Sequence, residues 1–237
     1  MSTLGTLYGL GVGPGDPELL TLKAARILGE VDTVFAASSS KNDYSIAQAI
    51  IAPHLPPQAT VVRLPFPMTR DPAALDAAWE ANTAAMGAVL AAGRDAAFIT
   101  LGDPLLYSTF GYVLPRLTAR LPELAVSIVP GITSFQAAAA KVGDVLVESG
   151  ENLLIASGVD ESGRLEKGLA AADNAVILKA YRNFPRLRDL LGRMGLTRAT
   201  TFATRVGHDG EAIVRKLEEA PEKPHYLSLC LIKRTRV

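Results

Sequence analysis

Cysteine is nearly absent from this chain of 237 residues: Cys230 is the single one. That excludes an internal disulfide and any zinc site built on cysteine pairs. Cys230 sits in the apolar run "YLSLCLI" and reads as a small core residue. An excess of either charge is also missing, with Lys+Arg and Asp+Glu both at 24. A nucleic-acid binder displaces counterions with a basic surplus, so the balance speaks against that class while leaving room for a local basic pocket. His54, His208 and His225 are scattered and lack cysteine partners, so no metal site is expected. No apolar run reaches the roughly 18 residues of a membrane span. The opening "MSTLGTLYGL" lacks a cationic leader segment. The expectation is an unprocessed, cytoplasmic protein.

What the chain does contain is 49% apolar and 20% charged residues, a globular composition long enough for one large or two small domains. Short apolar runs at 5–11, 32–37, 59–64, 95–101, 125–129, 152–157, 174–179, 199–204 and 226–232 read as strands. Between them lie helical stretches at 21–29, 44–52, 73–92, 106–119, 133–141, 163–171, 184–194 and 209–218. The alternation predicts an α/β protein with parallel or mixed sheets covered by helices. Over 73–92, Asp71 serves as cap, Pro72 takes the first position, and Leu75, Trp79, Asn82, Met86 and Val89 recur at helical spacing. Trp79 and Met86 are therefore assigned to the core. The stretch 133–150, an Ala-rich helix and then the polar "VESGEN", divides the strands into two sheets, which sets domains at 1–135 and 136–237. "SSSKNDYS" at 38–45 reads as a solvated loop or as a flexible wall of a site, and the tail "KRTRV" as a solvated end.

"YGLGVGPGD" follows a strand and invites a dinucleotide-binding reading, but the glycine count fails. From Gly9 the pattern GxGxxG meets Pro14, and from Gly11 it meets Asp16, an acid where the pyrophosphate would lie. The second strand ends in "SSS", with no acid to hold a ribose. No Walker motif and no GxSxG elbow occurs. What remains is a set of strand-end turns: "GVGPGDPELLT", "LGDPLLYST" and "VPGITSF". In a parallel sheet the C-terminal strand ends share one edge, where ligands bind. Each Gly-Asp-Pro either ends its strand and nothing more, or forms part of one pocket rim.

These three turns, in this order, resemble the tetrapyrrole (corrin/porphyrin) methylase family. The likeness covers nearly the whole chain: "LYGLGVGPGDPELLTLKA" looks like the family's first signature and "TLGDPLLYSTF" like its second. It implies two α/β domains that hold S-adenosylmethionine in the cleft between them, and a homodimer. With "VPGITSF" and "VILKAYRN", the segments look most like members that methylate C20 of precorrin-2 or cobalt-factor II on the way to cobalamin. The resemblance implies cofactor contacts at Pro14, at Leu101, Gly102 and Asp103, at Leu106, and at Thr133 and Ser134. Ala180 carries over as a backbone contact, because Lys179-Ala180 stands where the family often has Tyr-Met. Val206 lies in "ATRVGH", which departs from the commoner Glu-Asn-Gly-Thr.

On physical grounds Asp103 either meets the cofactor or stabilises only its own turn, and Thr133 either caps a helix or meets the ligand. Leu101, Leu106, Ala180 and Val206 would supply an apolar wall. The implied substrate carries many carboxylates, which a neutral protein must hold with a local cationic lining. Lys179, Arg182 and Arg205 follow strands and are the candidates, with Arg70 and Lys41 behind them; each is otherwise a plain surface charge. Tyr107 and Ser108 belong to the same substrate set. The proton acceptor is unassigned, with Tyr107, Ser108 and Asp16 as rim candidates. Competing readings are uroporphyrinogen III methylation or another reaction of the family, an NAD(P)-dependent oxidoreductase, and a non-catalytic tetrapyrrole carrier.

Overall fold

The computed structural model describes residues 4–39, 46–159 and 162–234. Lys41 and most of the 38–45 loop lie outside the described residues. The chain divides into two compact units, 1–133 and 134–237.

The first unit contains β1 (Leu7–Gly11), α1 (Leu22–Glu30), β2 (Thr33–Ser39), α2 (Ile46–Ile51), β3 (Thr60–Phe66), α3 (Pro72–Ala91), β4 (Ala96–Thr100), α4 (Phe110–Arg120) and β5 (Val126–Val129). The strands pair in the order β3-β2-β4-β1-β5, all parallel. Central β4 reads Ala-Ala-Phe-Ile-Thr and is buried throughout, as a strand covered on both faces must be. One face packs Leu10, Val34, Ala97 and Ile99 against α1 and α2 through Ile27, Leu28, Ile50 and Ile51. The other packs Leu7, Phe35 and Phe98 against α3 and α4 through Met86, Leu90, Phe110, Val113 and Leu117. Asp71 caps α3 by accepting from the Ala73 N–H, with Pro72 in the first turn. Met86 is buried in the core, whereas half-buried Trp79 stacks on Tyr112 at 4.7 Å with the Arg116 guanidinium over its ring.

The second unit contains α5 (Ser134–Val142), β6 (Leu153–Ser157), α6 (Arg164–Ala171), β7 (Asn174–Leu178), α7 (Phe184–Arg193), β8 (Thr200–Thr204), β9 (Ala212–Val214) and β10 (Ser228–Lys233). Its sheet order is β6-β7-β10-β8-β9, with β10 antiparallel to both β7 and β8. The protein is thus a mixed α/β chain with two sheets.

Three expectations need correction. The helix placed at 209–218 is instead β9, paired antiparallel with the edge of β8. Gly207 and Gly210, both at positive φ, reverse the chain there and bring Ala212-Ile213-Val214 alongside an open strand edge, which overrides the helical periodicity. Helix α4 starts at Phe110 rather than 106, because Tyr107 takes a left-handed conformation (φ 51°) and Ser108 Oγ accepts from the Phe110 N–H. The tail is not wholly solvated: Lys233 is only 7% exposed, and its Nζ donates to Glu148 and Glu151.

Candidate functional site

The two Gly-Asp-Pro turns share one local device. Asp16 Oδ1 accepts from the Glu18 N–H (2.9 Å), and Asp103 Oδ1 accepts from the Leu105 N–H (2.8 Å). In each case the carboxylate reaches over a proline to the amide two residues on, an Asx turn that stops the strand direction.

Beyond that device the turns of the first unit are tied into a closed triangle. The turns after β1 and β4 join where the Gly102 N–H donates to the Gly13 carbonyl at 2.7 Å. The turns after β4 and β5 join where the Gly131 N–H donates to Asp103 Oδ2 at 3.0 Å. The turns after β1 and β5 touch directly, since a Cβ on Gly11 would lie 2.5 Å from the Gly131 nitrogen. Glycine is required at both positions, because no side chain fits between these backbones. The parallel order places all three strand ends on one edge; the glycines let the turns close on one another.

Around this junction Pro14 is buried, whereas Leu101, Gly102, Asp103, Leu106 and Thr133 are half-buried. Tyr107 is exposed and left-handed, and Ser108 Oγ accepts from the Phe110 N–H at the start of α4. The boundary between the units falls between Thr133 and Ser134. Arg70 is exposed, at the end of the segment leading to α3.

In the second unit, β7 and β8 flank β10 with Leu178 opposite Leu229 and Thr204 opposite Ser228. Lys179 and Arg205 therefore leave the sheet at the same edge. The chain entering β10 ties both exits, with the Ala180 N–H donating to the Ser228 carbonyl and the Arg205 N–H to the Leu227 carbonyl. Lys179 and Arg205 are both left-handed, at φ 53°. For long side chains this conformation costs about 1–2 kcal/mol, and such strain concentrates at ligand sites.

Cations gather at this edge. Among the described residues, Lys179, Arg182 and Arg205 form no ion pair. Burial holds the Lys179 ammonium below the usual lysine range, and the neighbouring Arg182 adds to the effect. Burial likewise lowers His225, assisted by Arg205 and His208. Tyr226 is pushed up by burial and by Tyr181, against a smaller opposing effect of Arg182. Arg205 Nε and Ser228 Oγ are buried and find no hydrogen-bond partner among the described residues. By contrast, the charges lining a surface depression at the end of α5 are neutralised internally, with Lys141 on Glu211 and Arg215 on Asp144.

Ala180 and Val206 are buried, at 0% and 4% exposure. Residues that the sequence pattern did not single out are Gly11, Gly13 and Gly131 at the junction, and His225 and Ser228 at the second edge. The glycines were visible as turn residues, but nothing in one sequence pairs them. His225 and Ser228 carry no local motif at all.

The sequence profile of the Tetrapyrrole (Corrin/Porphyrin) Methylases matches residues 6–221. This chain belongs to the tetrapyrrole methylase family. Membership explains why the dinucleotide count failed: the glycine-rich opening of this tetrapyrrole methylase is the first turn of the junction. The cobalt-precorrin-2 C(20)-methyltransferase of Salmonella typhimurium is 36% identical over 232 residues, which cover 97% of each chain. The cobalamin biosynthesis protein CobIJ of Mycobacterium tuberculosis is 36% identical over 240 residues. These are 98% of this chain but 46% of CobIJ, so the chain spans about half the length of that relative. A solved structure of uroporphyrin-III C-methyltransferase from Thermus thermophilus, complexed with S-adenosyl homocysteine, has a TM-score of 0.69 at 24% identity. The match covers 97% of this chain and 98% of that one, which establishes the shared fold.

Proposed function

We propose that this tetrapyrrole methylase transfers a methyl group from S-adenosylmethionine to C20 of precorrin-2 or its cobalt form, in cobalamin biosynthesis, as a cytoplasmic homodimer. The observation that carries the reading is the end-to-end likeness, over 97% of both chains, to the Salmonella cobalt-precorrin-2 C(20)-methyltransferase. The donor is held by Pro14, Leu101, Gly102, Asp103, Leu106, Thr133, Ser134, Ala180 and Val206. The residues present fit such a group. A Cβ built on left-handed Gly102 meets only the Thr133 Cα, at 3.9 Å, so a strip of backbone stands open beside half-buried Leu101 and Leu106.

Bound S-adenosylmethionine supplies a methyl on a sulfonium, which needs no nucleophile from the protein. The chain's task is alignment, and holding reactants in line is worth roughly 7–11 kcal/mol. The triangle of turns supplies rigidity for that task, since backbone packed without gaps does not deform continuously. Tyr107, Ser108, Lys179, Arg182 and Arg205 hold the substrate. Guanidinium and ammonium groups without carboxylate partners among the described residues suit the carboxylates of a tetrapyrrole rim.

The test is incubation with isotope-labelled S-adenosylmethionine and either the metal-free or the cobalt-containing C2,C7-dimethylated ring. Label is expected at C20 by NMR. Label on another ring carbon, or methylation of uroporphyrinogen III in preference, would overturn the assignment.

A further inference from the structure

Of the three sides of the glycine triangle, two are made by backbone alone: the Gly102 N–H on the Gly13 carbonyl, and the contact of Gly11 with Gly131. The third combines backbone packing, Gly131 against the Gly102 carbonyl, with a side-chain bond, Asp103 Oδ2 accepting from the Gly131 N–H across 28 positions of sequence. The other carboxylate oxygen is committed to Leu105 in the same turn. Asp103 thus grips two turns at once, whereas Asp16, its sequence counterpart, accepts a local bond from the Glu18 N–H.

We propose that Asp103 is a positioning residue for methyl transfer: its carboxylate locks the turn after β4 to the turn after β5, and so sets the spacing of the backbone that flanks the ligand. The inference rests on the function proposed above and differs from a direct cofactor contact through the Asp103 side chain. An ionised carboxylate is the group suited to this place, because it accepts two amide donors at once and offers neither a hydrogen to clash with. Asparagine keeps one acceptor oxygen, which serves Leu105, but turns an NH2 donor toward the Gly131 N–H. The junction then loses the Asp103–Gly131 link while the backbone contacts remain.

The experiment compares the wild-type chain with Asp103→Asn, with Asp103→Ser, and with Asp71→Asn as control. Asp71 also accepts a backbone N–H through one oxygen, at the start of α3, far from the junction in sequence. Serine can close the turn on Leu105 in its own way but is too short to reach Gly131, so it serves if the asparagine variant folds poorly. The expected result is about tenfold faster exchange of the Gly131 amide in both Asp103 variants, from loss of a charge-assisted bond. With it, kcat should fall about tenfold or more at saturating S-adenosylmethionine, with KM for the donor changing less. The control should change neither quantity. Unaltered Gly131 exchange, or a loss confined to donor affinity with kcat intact, would overturn the proposal and favour a direct contact. Should the wild-type chain fail to methylate any tetrapyrrole, the function reading falls, while amide exchange still decides whether the clamp exists.

Discussion

Gly131→Ala puts the junction under a defined load. The added Cβ would stand 2.1 Å from the Gly102 oxygen, 2.7 Å from the Gly11 Cα and 2.8 Å from the Gly11 carbonyl carbon. All three neighbours are backbone, so none can rotate away, and the shortest approach falls more than an ångström inside ordinary van der Waals contact. The turn after β5 must move, which strains both the Gly131–Asp103 bond and the Gly102–Gly13 bond. Overpacking of this kind costs about 3 kcal/mol, which for a chain of this size lowers Tm by roughly 6–12 °C. The matched control is Gly192→Ala in α7, where a Cβ meets nothing within 4 Å. There the same substitution removes backbone freedom from the unfolded chain and stabilises by about 0.5–1 kcal/mol. Thermal melts by circular dichroism should move in opposite directions for the two variants. Titration with S-adenosylmethionine should weaken for Gly131→Ala alone. A Gly131→Ala protein that melts with the wild type would show that the turns do not close on each other and would remove the basis of the site.

Arg182→Ala is expected to raise KM for the tetrapyrrole while leaving S-adenosylmethionine titration unchanged; the reverse pattern would refute separate donor and acceptor contacts. Cys230 is fully buried, with its thiol pushed up to about 12, so iodoacetamide at about pH 8 should leave the native protein unlabelled and label it once unfolded. The hydrogen bond from Lys233, joined by the Glu148 N–H, holds Glu151 below its ordinary value of 4.5. Its stabilisation is therefore present above that value and is lost as pH falls through the lowered one. Glu151→Gln should melt below the wild type at neutral pH, with the gap closing as the solution is acidified below 4.5; a gap that persists in acid would show that the ion pair is not its source.

Much of the first unit was legible because its signals are local. The apolar strand runs, the Asp71-Pro72 start of α3 and the proline-glycine turns each depend on residues within a few positions of one another. Strand β9 was not legible, because "GEAIVRKLEE" satisfies a helical period and only the free edge of β8 decides otherwise. The left-handed Lys179 and Arg205 were read as strand-end cations, but their strained backbone leaves no mark in residue type. The second half of the Asp103 story was hidden for a similar reason: its turn-closing oxygen is a sequence-local matter, and its Gly131 oxygen is not.

The sequence by itself determined where the chain must stop and turn, since Gly-Asp-Pro restricts φ, removes a donor and supplies an acceptor in three consecutive residues. It also determined the family, through the order of those stops along the chain. Only the tertiary structure decided that the stops close into one junction and that Lys179 and Arg205 share an edge. Those outcomes depend on which strands become neighbours, β1 between β4 and β5, β10 between β7 and β8. Strand neighbours are chosen by packing across the whole sheet and not by any local run of residues.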